Sequence, residues 1–273
     1  MEGHLGIKLF ERVRAGIELT EEGKILYRRI ADAFGGIEAG IDEINTRATG
    51  MVPVTLSAST AFTMHWLLPR LHRFKESYPK VDLRLHLNAG RVGEPAIDVD
   101  LCVGILRDDE RFQDRVVIMP ETLIPVCSPR YEHSVRNAED QIVETLLLSN
   151  DSEYGWHDRF PSFSQRQHSR STTLRLDDYS VVVEAALQGQ GIALGWLNVI
   201  SQCLLNETLK PAEQESFVTS RHCSIVSPNG KAGDPVIRGV RDWIVREMRS
   251  DIIELDNKFP KLALREKKTM RQW

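Results

Sequence analysis

The sequence has 273 residues, 41% hydrophobic and 27% charged, with a formal net charge of −4, which suits a soluble chain with room for two small domains and a connector. That balance excludes a body basic all over for nucleic acid, but not a local basic module on an acidic body. No apolar run is long enough to span a bilayer, the mixed start Met1–Gly16 lacks the apolar core of a secretory signal, and Cys102, Cys127, Cys203 and Cys223 have no ligand or CxxC spacing, so neither metal nor cofactor is expected.

In chain order, the first segment reads as a hairpin. Leu9–Val13 and Ile17–Leu19 flank Arg14-Ala15-Gly16, and Gly16 supplies the positive φ of a tight turn. Thr20 then caps a helix whose first turn carries Glu21 and Glu22, suited to the positive end of the helix dipole. Along this helix Leu26, Ile30, Ala33, Ile37 and Ile44 follow alternating four- and three-residue steps, with Gly40 at the missing position and Ile41 broadening the stripe. Such a heptad seam belongs to a helix that pairs with another helix. The alternative is a core helix packed on its own domain. The stripe leads out of a small module and ends in polar Asn45-Thr46-Arg47, which favours pairing. Gly35, Gly36 and Gly40 weaken the isolated helix, although a glycine on the seam permits close approach.

Met51–Pro53 mark a boundary, beyond which strands alternate with helices, the pattern of an α/β sheet domain. Val54–Ser57 reads as a strand. Thr60–Tyr78 reads as a helix with Trp66, Leu67, Leu71 and Phe74 on its apolar face, a kink or break at Pro69 and a stop at Pro79. Val81–Leu87 alternates like a half-buried strand; Val99–Gly104 and Leu123–Cys127 are further strands, the latter closed by Ser128-Pro129. Glu144–Ser149 is a strand or its approach, Asn150–Arg170 a loop with short helix, and Thr173–Leu176 a strand. Asp177 or Asp178 caps a helix through Val181–Leu187, which Gly189 and Gly191 terminate. A buried strand at Ile192–Gly195, a helix near Val199–Leu205, a late strand at Cys223–Ser227 and a terminal helix at Pro235–Arg249 follow. From Lys258 the chain is polar and basic and is expected to fray.

Leu5-Gly6-Ile7-Lys8-Leu9-Phe10-Glu11-Arg12 and Gly16–Gly23 resemble the wing and the start of the linker helix of LysR-type transcriptional regulators. Trp66–Leu71, Pro79–Leu85, Pro125–Pro129, Gly189–Gly195 and Arg241–Trp243 resemble, in order, the sensing half of that family's glycine-cleavage-activator branch. The resemblance covers nearly the whole chain. It implies an α/β fold: a partial winged helix-turn-helix remnant, the wing alone, over 1–23; a linker and dimerisation helix over 24–50; a two-lobed, periplasmic-binding-protein-like (type 2) effector domain over 51–250; and a polar tail over 251–273. Lobe one would hold 51–126 and 227–250, lobe two 127–226, with crossings near Pro125–Ser128 and Ser224–Pro228. In the family a recognition helix precedes the wing and reads the major groove. Met1-Glu2 falls where that helix gives way, so the recognition helix is expected to be missing from this chain. Arg12 and Arg14 on the wing are then the DNA-contacting candidates, limited to weak, salt-sensitive binding, or else they form a solvated hairpin tip. The resemblance further implies a cytoplasmic dimer or tetramer whose partners are promoter DNA and a small effector, without membrane.

By the resemblance, the effector lies between the lobes, where helix N-termini and strand ends present N–H groups to a carboxylate or sulfate. Lobe one offers Ser57, Ser59 and Thr60, with Ser128 at the end of a strand; lobe two offers Asp177, Asp178, Tyr179 and Trp196. Ordinary helix capping accounts equally well for the first group, and for Asp177. Asp151 and Trp156, in the acidic and aromatic loop Asn150–Trp156, are suited to a cationic or zwitterionic ligand held against a ring face. The effector is therefore expected to be anionic or zwitterionic. A solute-binding protein of a transport system shares the sensing fold, but it needs an export signal and has no use for a wing and a heptad helix. An enzyme is disfavoured: no GxSxG, HExxH or phosphate-binding glycine loop occurs, and His65, His72, His86 and His157 lack ligand spacing, so no catalytic residue is expected.

Overall fold

The computed structural model describes residues 1–13, 16–88, 99–110, 112, 114–131, 135–136, 142–149, 171–228 and 231–264. Of the residues singled out above, Arg14, Ala15, Asp151, Trp156 and His157 lie outside the described residues, as does the whole expected loop over 150–170.

One helical turn, α1 (Glu2–Leu5), ends on Gly6 at φ 68°. The Glu2 carboxylate accepts the Leu9 and Phe10 N–H groups at 2.6 and 3.2 Å, tying that turn to a hairpin. The hairpin is β1 (Phe10–Val13) against β2 (Gly16–Leu19), with exposed Arg12 opposite Ile17 and Gly16 at φ 141°. Thr20 caps α2 (Glu21–Thr49): its hydroxyl accepts the Gly23 N–H at 3.0 Å and donates to the Lys8 carbonyl at 2.8 Å. One side chain thus starts the helix and fastens the hairpin to it. Along α2, Leu26 is half-buried, while Ile30, Ala33, Ile37 (60% exposed) and Ile44 (67%) face out. The main contacts of α2 with the rest of the chain are at β2 and at β3 (Val52–Ser59).

The remaining strands are β4 (Val81–Asn88), β5 (Leu101–Leu106), β6 (Val116–Cys127), β7 (Val135–Arg136), β8 (Ile142–Ser149), β9 (Ser171–Leu176), β10 (Ile192–Trp196), β11 (Lys210–Pro211) and β12 (Phe217–Val226). They form a curled sheet in the order β4-β3-β5-β12-β6-β10-β8-β7, with β9 beside β8 and β11 beside β6. β3, β4 and β5 run parallel and make one lobe; β8, β9 and β10 run parallel and make the other. Antiparallel β6 and β12 belong to both. His222–Ile225 pair with residues 116–120 on the lobe-one side and Phe217-Val218 with Leu123-Thr122 on the lobe-two side, with an irregularity between. The chain therefore crosses at Pro120–Thr122 and returns at Thr219–Arg221, earlier on both strands than Pro125–Ser128 and Ser224–Pro228.

α3 (Thr60–Phe62) passes through a π turn (Thr63–Leu67) and a 3-10 turn (Leu68–Arg70) into α4 (Leu71–Ser77). Pro69 has no N–H to return to the preceding turn, so the bonding widens before it and tightens around it. Asp178 caps α5 (Tyr179–Leu187) through the Ser180 N–H at 2.7 Å, and Gly189, at φ 75°, turns the chain away. Next come α6 (Leu197–Leu205) and α7 (Pro235–Lys258), the latter capped by Asp234 on the Val236 and Ile237 N–H groups. The terminal helix thus runs past Arg249 to Lys258. Asp251, Ile252 and Leu255 on it, and Leu262 and Leu264 beyond it, are buried, so the segment from 251 to 264 is packed structure and not a polar tail. Ile252 and Leu255 continue the helical spacing of Trp243, Ile244 and Met248. One hydrophobic core joins Phe62, Trp66 and Trp243 to Val182, Ile200 and Leu204 of the other lobe. No helix among the described residues is long and apolar enough to cross a membrane.

Candidate functional site

Register places the carboxyl ends of the parallel strands of both lobes at the crossing. Leu106, ending β5, lies opposite His222, which also lies opposite Pro120. Trp196, ending β10, lies opposite Leu123, and Leu176, ending β9, lies beside Ser149, ending β8. Open α/β sheets bind ligands at such carboxyl ends, where the strand order switches. Ser59 and Thr60 follow β3, Asp177 and Asp178 follow β9 and Trp196 ends β10, all at carboxyl ends of parallel strands, and α3 packs against α5.

The crossing itself is held by a residue that sequence reasoning missed. Glu121, in the middle of β6 and 1% exposed, accepts from three residues on two elements, β10 and β12. The Trp196 indole N–H donates to Oε1 at 2.6 Å and the Thr219 hydroxyl to Oε2 at 2.6 Å. Arg221 Nε donates to Oε2 and Nη2 to Oε1, both at 2.8 Å, a two-pronged ion pair across the two crossing strands. Burial pushes the Glu121 carboxyl up, but the Arg221, Thr219 and Trp196 hydrogen bonds outweigh it and hold it below the ordinary carboxylate value. Glu121 is thus a buried charge with its acceptors engaged, which fixes both crossing strands and a lobe-two tryptophan together.

Ser57 is buried and accepts the Asn88 amide N–H at 2.8 Å, with His86 Nδ1 at 3.4 Å. Ser59 caps α3 on the Phe62 N–H at 3.1 Å. Asp178 is committed to Ser180, backbone and hydroxyl. Tyr179 is a strut: its hydroxyl accepts the Trp196 N–H at 2.9 Å and donates to the Leu194 carbonyl at 3.1 Å, and burial pushes its pKa well up. Trp196 meets the Tyr179 ring edge-on at 4.6 Å. Thr60 is half-buried and Asp177 exposed. Ser128 does not join them. It follows Cys127 at the end of β6 remote from the crossing, where its hydroxyl accepts the Arg130 N–H at 3.2 Å.

His65, on the π turn, is a further contact between the lobes. Burial lowers its pKa, against the Glu184 carboxylate and the Ser180 backbone of α5. The four cysteines are buried and reduced, and burial pushes the Cys223 thiol up to about 12, so it is no nucleophile at neutral pH.

Residues 52–249 match the family model of the LysR substrate binding domain. The chain is 29% identical over 196 residues to the HTH-type transcriptional regulator PerR of Escherichia coli, covering 71% of this chain and 64% of that protein. It is 27% identical over 256 residues to the glycine cleavage system transcriptional activator of Escherichia coli, covering 92% of this chain and 83% of that protein. The effector domain of the transcriptional regulator AmpR of Pseudomonas aeruginosa has the same fold, with a TM-score of 0.53 at 22% identity over 72% of this chain and 96% of that one. The chain spans just under two thirds of the length of the first relative and more of the second. With its two lobes, its crossing strands and this match, the chain belongs to the LysR family, and residues 52–249 are its substrate-binding domain.

Proposed function

We propose that this chain is a transcriptional regulator of the LysR type, in which a small effector occupies the cleft, α2 pairs two copies and the N-terminal hairpin approaches promoter DNA through Arg12 and Arg14. The observation that carries the effector reading is the convergence of strand ends and helix N-termini from both lobes above the Glu121–Arg221 pair. Helix N-termini favour a negative group, and Asp177 at the opposite rim suits an ammonium, so the effector is anionic or zwitterionic. It acts by binding one arrangement of the oligomer more tightly than another, which is the only way a ligand shifts such an equilibrium.

Isothermal calorimetry against amino acids and against short organic acids tests this. Heat with at least one class, weakened when Thr60 is replaced by alanine, is expected. Binding of amino acids alone identifies a zwitterion, and binding of simple acids alone an anion. Silence across both classes overturns the reading. Fluorescence anisotropy on DNA from the region upstream of the gene tests the hairpin: Arg12→Ala lowers an affinity that also falls as salt rises, whatever the sequence, because phosphate contacts position without specifying.

A further inference from the structure

We infer that the two lobes are latched into a single body by a buried network centred on Asp251, so that the joint of the chain lies between α2 and β3 rather than between the lobes. Arg70, at the end of the 3-10 turn in lobe one, is paired with Asp251 of α7 through Nη2, 2.6 Å from each carboxylate oxygen, with both side chains buried. Arg70 also donates to the Trp66 carbonyl at 2.9 Å and lies over the Trp66 ring at 4.7 Å. The Trp66 indole N–H reaches Asp251 Oδ2 at 2.9 Å. The last donor comes from lobe two: the Ser201 hydroxyl of α6 gives its hydrogen to Asp251 Oδ2 at 2.6 Å. To swing lobe two away, α6 must leave Asp251, and a buried carboxylate deprived of a donor is unfavourable.

Three further observations point the same way. α6 packs on the π turn and on α7, inside the hydrophobic core that both lobes share. The terminal helix is itself a strap. Near its start the Gly239 carbonyl accepts the Tyr78 hydroxyl at 2.7 Å in lobe one, and at its end Lys258 reaches the Leu205 carbonyl at 2.8 Å and Glu207 at 2.9 Å in lobe two. Beyond it, the Leu262 carbonyl accepts the Ser216 hydroxyl at 3.1 Å. At the crossing, Glu121 pins both strands and Trp196. Packed interiors shift between discrete arrangements and do not stretch. By contrast α2 leaves through Gly50, at φ 70°, and meets this body chiefly at β3. That the body turns as a unit on α2 when the cleft is filled rests on the proposed effector reading; the latch does not.

Amide hydrogen exchange on the full chain, without DNA or effector, tests the latch independently of calorimetry. Slowest exchange in α6 and in residues 60–77 is expected at a common opening rate, with Gly50–Val52 exchanging sooner. Ser201→Ala, which leaves Arg70 and Asp251 paired, speeds exchange in both segments by a common factor of roughly ten, the size of one hydrogen bond to a charge. If α6 opens at a rate of its own, if Ser201→Ala speeds α6 alone, or if Gly50–Val52 is as protected as α6, the inference is overturned. Asp251→Asn adds a second arm: a lower denaturant midpoint with one transition supports the latch, and separate melting of lobe two sinks it.

Discussion

Glu121 shows how one side chain sets the geometry of the cleft floor. Its charge survives burial because Arg221, Thr219 and Trp196 surround it with donors. Glu121→Gln keeps the shape and loses the charge, leaving Arg221 poorly matched at a site with little water. Breaking a buried pair costs about 3–5 kcal/mol, and the partial exposure of Arg221 puts this loss near the lower end. Urea unfolding measures it; a loss under about 1 kcal/mol means that the pair is only a surface contact. The sign of the acid dependence follows from the same carboxyl. Its folded pKa lies below the ordinary 4.5, so its contribution is full above 4.5 and is lost as pH falls through the folded value. His65, lowered from 6.5, acts in the same direction in a higher window, its contribution fading as pH falls below 6.5. Stability should therefore decline in two stages on acidification; Glu121→Gln removes the lower stage and His65→Gln the upper. Tyr179→Phe leaves the Trp196 N–H without its acceptor and costs about 1–3 kcal/mol, read in the same assay. None of this was legible beforehand. Ser59 and Asp178 could be recognised as caps because capping is local, whereas Thr219 and Arg221 meet Glu121 from about a hundred residues away across an irregularity in strand pairing.

At the scale of elements, periodicity marked the regular pieces and failed where burial is two-sided. Val81–His86 alternate in structure as in sequence, while Leu87 breaks the pattern by being exposed, and the caps at Thr20 and Asp178 begin α2 and α5. The first half of β6, residues 116–122, was not read as strand, and the end of α7 was masked by charged residues around Ile252 and Leu255. The glycines separate two kinds of constraint. A Cβ on Gly191 would stand 2.5 Å from the Thr145 carbonyl oxygen, a backbone atom that cannot step aside, so Gly191→Ala should lower the melting temperature by several degrees. A Cβ on Gly40 meets nothing within 4 Å in the single chain, so Gly40→Ala should raise the helicity of α2 by up to about 1 kcal/mol in a monomer. If α2 pairs closely at Gly40, the same change weakens the oligomer. Circular dichroism and sedimentation on this variant read the two effects separately, and a gain in helicity without loss of association places Gly40 away from the contact.

For the whole molecule, the lobes share a large buried apolar core, while α2 carries a run of exposed apolar residues along its length. Ile37 and Ile44 on the heptad seam are 60% and 67% exposed, and Phe34 and Ile41 beside them are exposed as well. Among the described residues, this 29-residue helix meets the rest of the chain chiefly at its two ends, at β2 and β3. Covering one isoleucine contributes roughly 1.5–3 kcal/mol, and in a symmetric pair each substitution acts twice. Ile37→Asp should therefore raise the dissociation constant of the α2 pair at least a hundredfold, since each 1.4 kcal/mol is a factor of ten. The body beyond Gly50 should be untouched, because α2 meets it chiefly at β3, far along the helix from Ile37. Sedimentation velocity and thermal melting together decide the point: lighter particles with an unchanged melting transition place the pairing surface on α2. Unchanged particle size would mean that the seam is not what holds copies together, and a collapsed melting transition would mean that Ile37 packs on its own body after all.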